Sequence, residues 1–151
     1  MRKIAVIGVG SYQAEDQLGW LVVDQLQTAI YGIPNVFFFK SRGNGLDWAD
    51  FIKDASSVIF VDAVISNTQP GAMYEINIAS QADIEKNILV SSSHGIDLFN
   101  NINLANALGM IDFPITFVGG EIDNSECVES GRLNVTVEKI VSRIKEIIEF
   151  S

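Results

Sequence analysis

One cysteine and one histidine occur among the 151 residues, and Lys and Arg together number 10 against 19 acids. Each shortage removes a class of function. A single cysteine, Cys127, cannot build a disulfide framework or a Cys-rich zinc site. Its acidic surroundings, DNSECVES, oppose thiolate formation. A net charge of −9 leaves no clustered cations to neutralise a nucleic-acid backbone. No apolar run approaches the roughly 18 residues of a membrane span. Behind Met1-Arg2-Lys3, the apolar run Ile4–Ile7 is too brief for a signal segment, with Glu15 and Asp16 close after it. There is no Walker-type GxxxxGK[ST] and no GxSxG elbow. These absences predict a cytoplasmic protein that engages neither nucleic acid nor membrane, with a monomer as its default state.

What is present is a globular composition, 48% apolar and 19% charged, in a length suited to one domain over residues 1–151. Strand-like and helix-like segments alternate. Lys3–Val9, Asn35–Phe39, Ser57–Val61, Ile88–Ser91 and Ile115–Val118 read as strands, and Met73–Ile78 alternates as an edge strand does. Helical spacing marks Gln17–Tyr31, a short segment over Leu46–Ala55, Asp97–Leu108 and Leu133–Phe150. Gly32 with Pro34, and Gly109, provide the stops. The alternation predicts an α/β fold: a single three-layer αβα sandwich with a mostly parallel, twisted central sheet.

The stretch GVGSYQAEDQLG, residues 8–19, looks like a dinucleotide-binding turn, but the glycine row reads Gly8, Gly10 and then Gln13. Glu15 and Asp16 stand where a phosphate would approach, and the second strand ends in Lys40-Ser41 where a ribose-binding acid is needed. Lys40 facing a 2′-phosphate keeps nucleotide binding as a minor option. A tight strand-to-helix turn is the simpler reading.

In an open α/β sheet, ligands bind beyond the carboxyl ends of the strands. The polar residues there are Glu15 and Asp16 after the first strand, Asp62 after the third, His94 after Ile88–Ser91, and Glu121 and Asp123 after Ile115–Val118. Two carboxylates and an imidazole suit a borderline divalent ion such as zinc or nickel. Asp16, Asp62 and His94 form such a set, leaving coordination positions for a substrate. Each also has a purely structural explanation: Asp16 as a helix N-cap, Asp62 bonding loop amides, His94 capping the next helix. Ser91, Ser92 and Ser93 beside His94 are poorly spaced for a nucleophilic triad.

With those residues in view, the chain resembles the hydrogenase maturation proteases, which trim the large subunit of nickel–iron hydrogenases. The likeness runs in order through AVIGVGS with EDQLG, GLDWADFIKDASSVIFVDAV, QPGAMYEI, SSSHGIDL and ITFVGGEI. The resemblance implies an αβα endopeptidase that removes a C-terminal extension from the large-subunit precursor after nickel insertion. It also implies that Asp16, Asp62 and His94 recognise the nickel carried by that precursor, with zinc or another divalent ion able to take its place in the isolated protein. No serine or cysteine nucleophile is implied, and the catalytic group stays unassigned.

Some positions depart from the family pattern. Ser11 replaces the usual Asn, the loop is one residue shorter before the acids, and Gln17 replaces a glycine. SRGNG lacks a Gly-Thr pair, and Ile122 stands where proline is common. The shortened loop leaves open whether Glu15 or Asp16 is the ligand. The alternative function is a non-catalytic metal- or precursor-binding assembly module on the same fold.

Overall fold

The computed structural model describes residues 2–65, 69–78, 95–122 and 132–150, the side chains of 14, 15, 95, 96 and 132 excepted. The order is β1 (Ile4–Val9), a 3-10 turn (Ala14–Gln17), α1 (Leu18–Ala29), β2 (Val36–Ser41), β3 (Ser57–Val64), β4 (Met73–Ile78), α2 (Gly95–Ala107), β5 (Ile115–Glu121) and α3 (Arg132–Glu149). The predicted strand Ile88–Ser91 lies outside the described residues.

Among the described residues five strands form one sheet in the order β2-β1-β3-β5-β4, parallel except for β4. Every residue of β1, and all of β3 after Ser57, is buried. Strands covered on both faces read as continuous apolar runs, and IAVIGV and SVIFV are such runs. Over one face lie α1 and α3, which pack with Ile4, Val6, Ile59, Val61, Ala63 and Val118. The other face carries Ala5, Ile7, Val9, Val58, Phe60 and Phe117 under Leu98, Ile102 and Ala105 of α2, together with Trp48 and Ile52. This is the predicted three-layer α/β arrangement.

Helical periodicity places the inner residues. The α3 positions Val137, Ile140, Val141, Ile144 and Ile148 are buried at the 3.6-residue spacing. Burying each such side chain contributes roughly 1.5–3 kcal/mol relative to exposure. Past the end of α2, Gly109 has φ +73, its N–H donates to the Asn106 carbonyl, and the Met110 N–H donates to the Ala105 carbonyl. That is the double bond of a Schellman stop, the reason glycine sits there.

The segment read as a short helix over Leu46–Ala55 is a chain of turns. Three of its bonds span three residues, Ala49 to Leu46, Lys53 to Asp50 and Ala55 to Ile52. The tighter turns still put Trp48 and Ile52 into the core, where Trp48 meets Phe60 edge-on at 5.2 Å. Core packing, not helix propensity, sets this segment's shape.

One ion pair ties β4 to a helix. Arg143 of α3 donates Nε to Glu75 Oε1 at 2.5 Å and a terminal nitrogen to Oε2 at 3.0 Å. The Arg143 hydrogen bond holds the Glu75 carboxyl below its ordinary value of 4.5, against the smaller effect of partial burial. A depressed native pKa stabilises the fold above the unfolded value, and that stability is lost as pH falls through the native one. Thermal melts of the parent and Glu75→Gln should therefore differ near neutrality. The gap should close on acidification below pH 4.5; a gap independent of pH would contradict the assignment.

Candidate functional site

The connection out of β1 runs through α1 to β2 on one side, while β3 lies on its other side. The direction of winding therefore changes at β1, and the crevice beyond the carboxyl ends of β1 and β3 is the expected ligand position of such a sheet. Asp16 and Asp62 belong to the two elements that frame it.

Gly10 makes the turn out of β1. Its φ is +149, and a Cβ there would lie 2.1 Å from the Asp16 carbonyl oxygen. The loop closes on itself in this space: the Ser11 N–H donates to the Asp16 carbonyl at 3.0 Å, and the Asp16 N–H donates to the Gln13 carbonyl at 2.9 Å. Asp16 thus sits half-buried inside the 3-10 turn, and no side-chain cap bond forms at either helical start. The N-cap explanation of Asp16 does not hold. The Glu15 side chain lies outside the described residues.

The same geometry disposes of the nucleotide reading. The Ser11 amide is engaged by the protein's own backbone. Lys40 Nζ lies 2.5 Å from Asp24 Oδ1 and also bonds the Tyr12 hydroxyl. Partial burial opposes the Lys40 charge, but the bonds to Asp24 and Tyr12 outweigh it and raise its pKa above the ordinary 10.5. A lysine so held is not a free phosphate anchor.

The glycine missing from the fingerprint is supplied from further along. Gly19, on α1, lies against the strands: a Cβ there would be 2.4 Å from the Val9 carbonyl oxygen and 2.7 Å from that of Val61. A Cβ on Gly8 would in turn be 2.3 Å from the Gly19 carbonyl oxygen. Helix and sheet therefore meet backbone to backbone at this point, which brings the 3-10 turn onto β3.

Asp62 does not follow β3, as the sequence suggested, but lies within it. It pairs with Gly119, one position beyond the Gly8–Val61 pair where the β1 register ends. The strand continues because β5 partners it as far as Val64 and Glu121. Asp62 is fully buried, and its Oδ1 accepts the Ala63 N–H at 2.8 Å. The local amide bond foreseen for it is present. A fully buried acid in a central strand is uncommon, and at the crevice it is a candidate for a functional role.

Glu121 is likewise the last residue of β5 instead of a residue past its end. It is buried, and its Oε1 accepts the Tyr74 hydroxyl at 3.2 Å. His94 and Asp123 lie outside the described residues, so the third member of the predicted trio has no described position. Among the described residues no group of three or more His, Cys, Asp and Glu is placed to hold a metal ion. The structure brings together the elements carrying Asp16 and Asp62, and the chain reaches α2 just after His94.

A feature the sequence did not disclose is the anchor between β2 and α1. The Ser41 carbonyl accepts both the Gly10 N–H at 2.9 Å and the Trp20 Nε1–H at 3.0 Å. Ser41 Oγ donates to Asp47 Oδ1 at 2.7 Å. Nothing in the spacing of Gly10, Trp20 and Ser41 announces this three-way join.

A family model described as hydrogenase maturation protease matches residues 20–150, nearly all of the chain after the glycine turn. The chain belongs to the hydrogenase maturation protease family. The family is one of endopeptidases, and the protein is a peptidase of that kind. Solved structures agree in fold. The Escherichia coli hydrogenase maturating endopeptidase HybD is similar with a TM-score of 0.69 and 19% identity, covering 95% of this chain and 93% of that one. The nickel–iron hydrogenase maturation protease HybD of Thermococcus kodakarensis gives a TM-score of 0.78 at 15% identity over 96% and 98%. A hydrogenase 2 maturation peptidase from a Thaumarchaeota archaeon gives 0.65 at 20% identity over 99% and 100%. At these identities the likeness is one of architecture. No curated protein matches the sequence. Among the described residues of this maturation protease, no helix is long and apolar enough to cross a membrane.

Proposed function

We propose that this maturation protease acts on the large-subunit precursor of a nickel–iron hydrogenase, removing its C-terminal extension once nickel is in place. The observation that carries the reading is Asp62, a fully buried carboxylate at the crevice between β1 and β3, within a chain of the maturation-protease family. Asp16, or Glu15 in its place, joins it from the 3-10 turn, and His94 supplies the imidazole. These three side chains complete the coordination of nickel carried in by the precursor, and so hold the scissile segment at the sheet's carboxyl edge. Two carboxylates and an imidazole suit nickel and also zinc, which can therefore substitute in the isolated protein.

Hydrolysis needs a water to attack the scissile carbonyl, with a carboxylate or the metal assisting. No side chain of the protein is assigned as nucleophile. The protein works as a cytoplasmic monomer, without nucleic acid or membrane.

The test is a His94→Ala variant mixed with nickel-loaded precursor. Loss of a direct ligand should slow tail release by about 100-fold or more, since even outer-sphere partners of metal sites are worth tenfold to 100-fold. Undiminished release would remove His94 from the site. Binding of the precursor without release by the parent protein, at any metal loading, would favour the assembly-module alternative.

A further inference from the structure

Charge is unevenly distributed along the carboxyl edge of the sheet. The acids Asp16, Asp62 and Glu121 belong to the side formed by β1, β3 and β5, whereas Lys40 and Arg42 stand at the end of β2. Asp24 and Tyr12 take up the first of these cations. The second is different. Arg42 is exposed, and among the described residues its guanidinium makes no ion pair. The guanidinium carbon lies 5.6 Å from the centroid of the Trp20 ring, within the range of a cation–π contact.

Both parts of that contact are held from behind. Trp20 is nearly buried, its Nε1–H bonded to the Ser41 carbonyl, and Tyr12 meets its ring edge-on at 5.0 Å. The Arg42 backbone N–H donates to Asp47 Oδ2 at 3.2 Å, while Asp47 Oδ1 accepts from Ser41. The Asp47 carboxylate is thus used to fix the loop. A guanidinium in cation–π contact still presents N–H groups to solvent, and their fork matches a carboxylate with two bonds. The same Ser41 carbonyl that positions Trp20 also accepts from Gly10, which begins the turn leading to Asp16. The cation is therefore tied to the framework of the candidate site.

We infer that Arg42, exposed and in cation–π contact with Trp20, binds a carboxylate of the peptide substrate and sets the direction in which the substrate chain crosses the sheet edge. Arg42 attracts such a group on the β2 side of the site. The inference rests on the endopeptidase reading of the site. Two carboxylates of the same chemistry are available on a peptide: an Asp or Glu side chain, and the chain terminus.

The test uses a fluorescein-labelled peptide spanning the C-terminal extension of the host's nickel–iron hydrogenase large subunit, with binding read by fluorescence anisotropy. Loss of one charge-assisted fork in Arg42→Gln should weaken binding by about tenfold or more. Arg42→Lys should restore part of it, because a point charge lacks the fork. Amidating the terminus, and separately changing each acid of the peptide to its amide, identifies the carboxylate. Its neutralisation should weaken binding to the parent but leave Arg42→Gln unaffected. Equal affinity of parent and Arg42→Gln, absence of saturable binding to either, or effects that multiply independently would overturn the inference. If Arg42-dependent binding persists while nickel-loaded precursor keeps its tail, the endopeptidase reading fails and the carboxylate site stands.

Discussion

Asp62→Asn protein is expected to release the precursor tail about 100-fold more slowly than the parent while melting at nearly the same temperature. The two readouts together separate a functional carboxylate from a structural one. Asparagine has nearly the same shape, and its carbonyl oxygen can accept the Ala63 N–H as Asp62 Oδ1 does at 2.8 Å. The substitution also keeps the volume of the side chain at a fully buried position. If Asp62 served only to order the end of β3, activity would fall only as far as stability fell. If it binds metal, activity falls alone, because a neutral amide is a poorer ligand for a divalent ion. A large drop in melting temperature accompanying the loss of release would point to a structural role instead.

Gly19→Ala carries the second large effect, and its sign is the informative part. Alanine in an ordinary helix interior is favoured over glycine by about 1 kcal/mol. Here the added carbon would meet backbone atoms at 2.4 Å, 2.7 Å and 2.8 Å, namely the Val9 carbonyl, the Val61 carbonyl and the Val9 nitrogen. Backbone in two paired strands cannot swing aside as a side-chain tip can. Helix α1 must then lift from the sheet, at a cost of about 3 kcal/mol, or about 10 °C in melting temperature for a domain of this size. The lift would also displace the 3-10 turn bearing Asp16 relative to β3, so tail release should fall with stability. A melting temperature raised by Gly19→Ala would show that the close contact does not exist in solution.

These two residues also show how far the sequence could be read. Buried strands such as IAVIGV declare themselves by uninterrupted apolar character, and the α3 stripe by its period, because in both cases the pattern is the packing requirement itself. The end of β3 was not legible in that way. A charged residue inside a central strand runs against the usual exclusion of acids from cores. The sequence therefore read Asp62 as a strand end when it is a strand interior.

The Gly119-Gly120 pair misled similarly, since glycines normally weaken strands. In the folded protein, the space a Cβ would take at Gly119 is occupied by Val64 and Phe117, and at Gly120 by Thr136 and Ile140. The Val64, Thr136 and Ile140 contacts join segments distant in sequence, and no local pattern encodes them. The role of Gly19 was hidden for the same reason: it depends on strands that α1 meets only after folding. For the site, the residue types at the sheet edge were legible, whereas the Ser41 anchor and the Arg42–Trp20 contact arise from loop conformation.

The central claim is that the protein cuts a precursor tail in response to nickel already inserted, and intact mass measures it most directly. Large-subunit precursor, loaded with nickel or kept metal-free, is incubated with the protein and its mass recorded over time. The nickel-loaded precursor should lose the mass of its C-terminal extension in a single step, and the metal-free precursor should not. A nickel-loaded precursor whose mass does not change, or equal shortening with and without nickel, would contradict it.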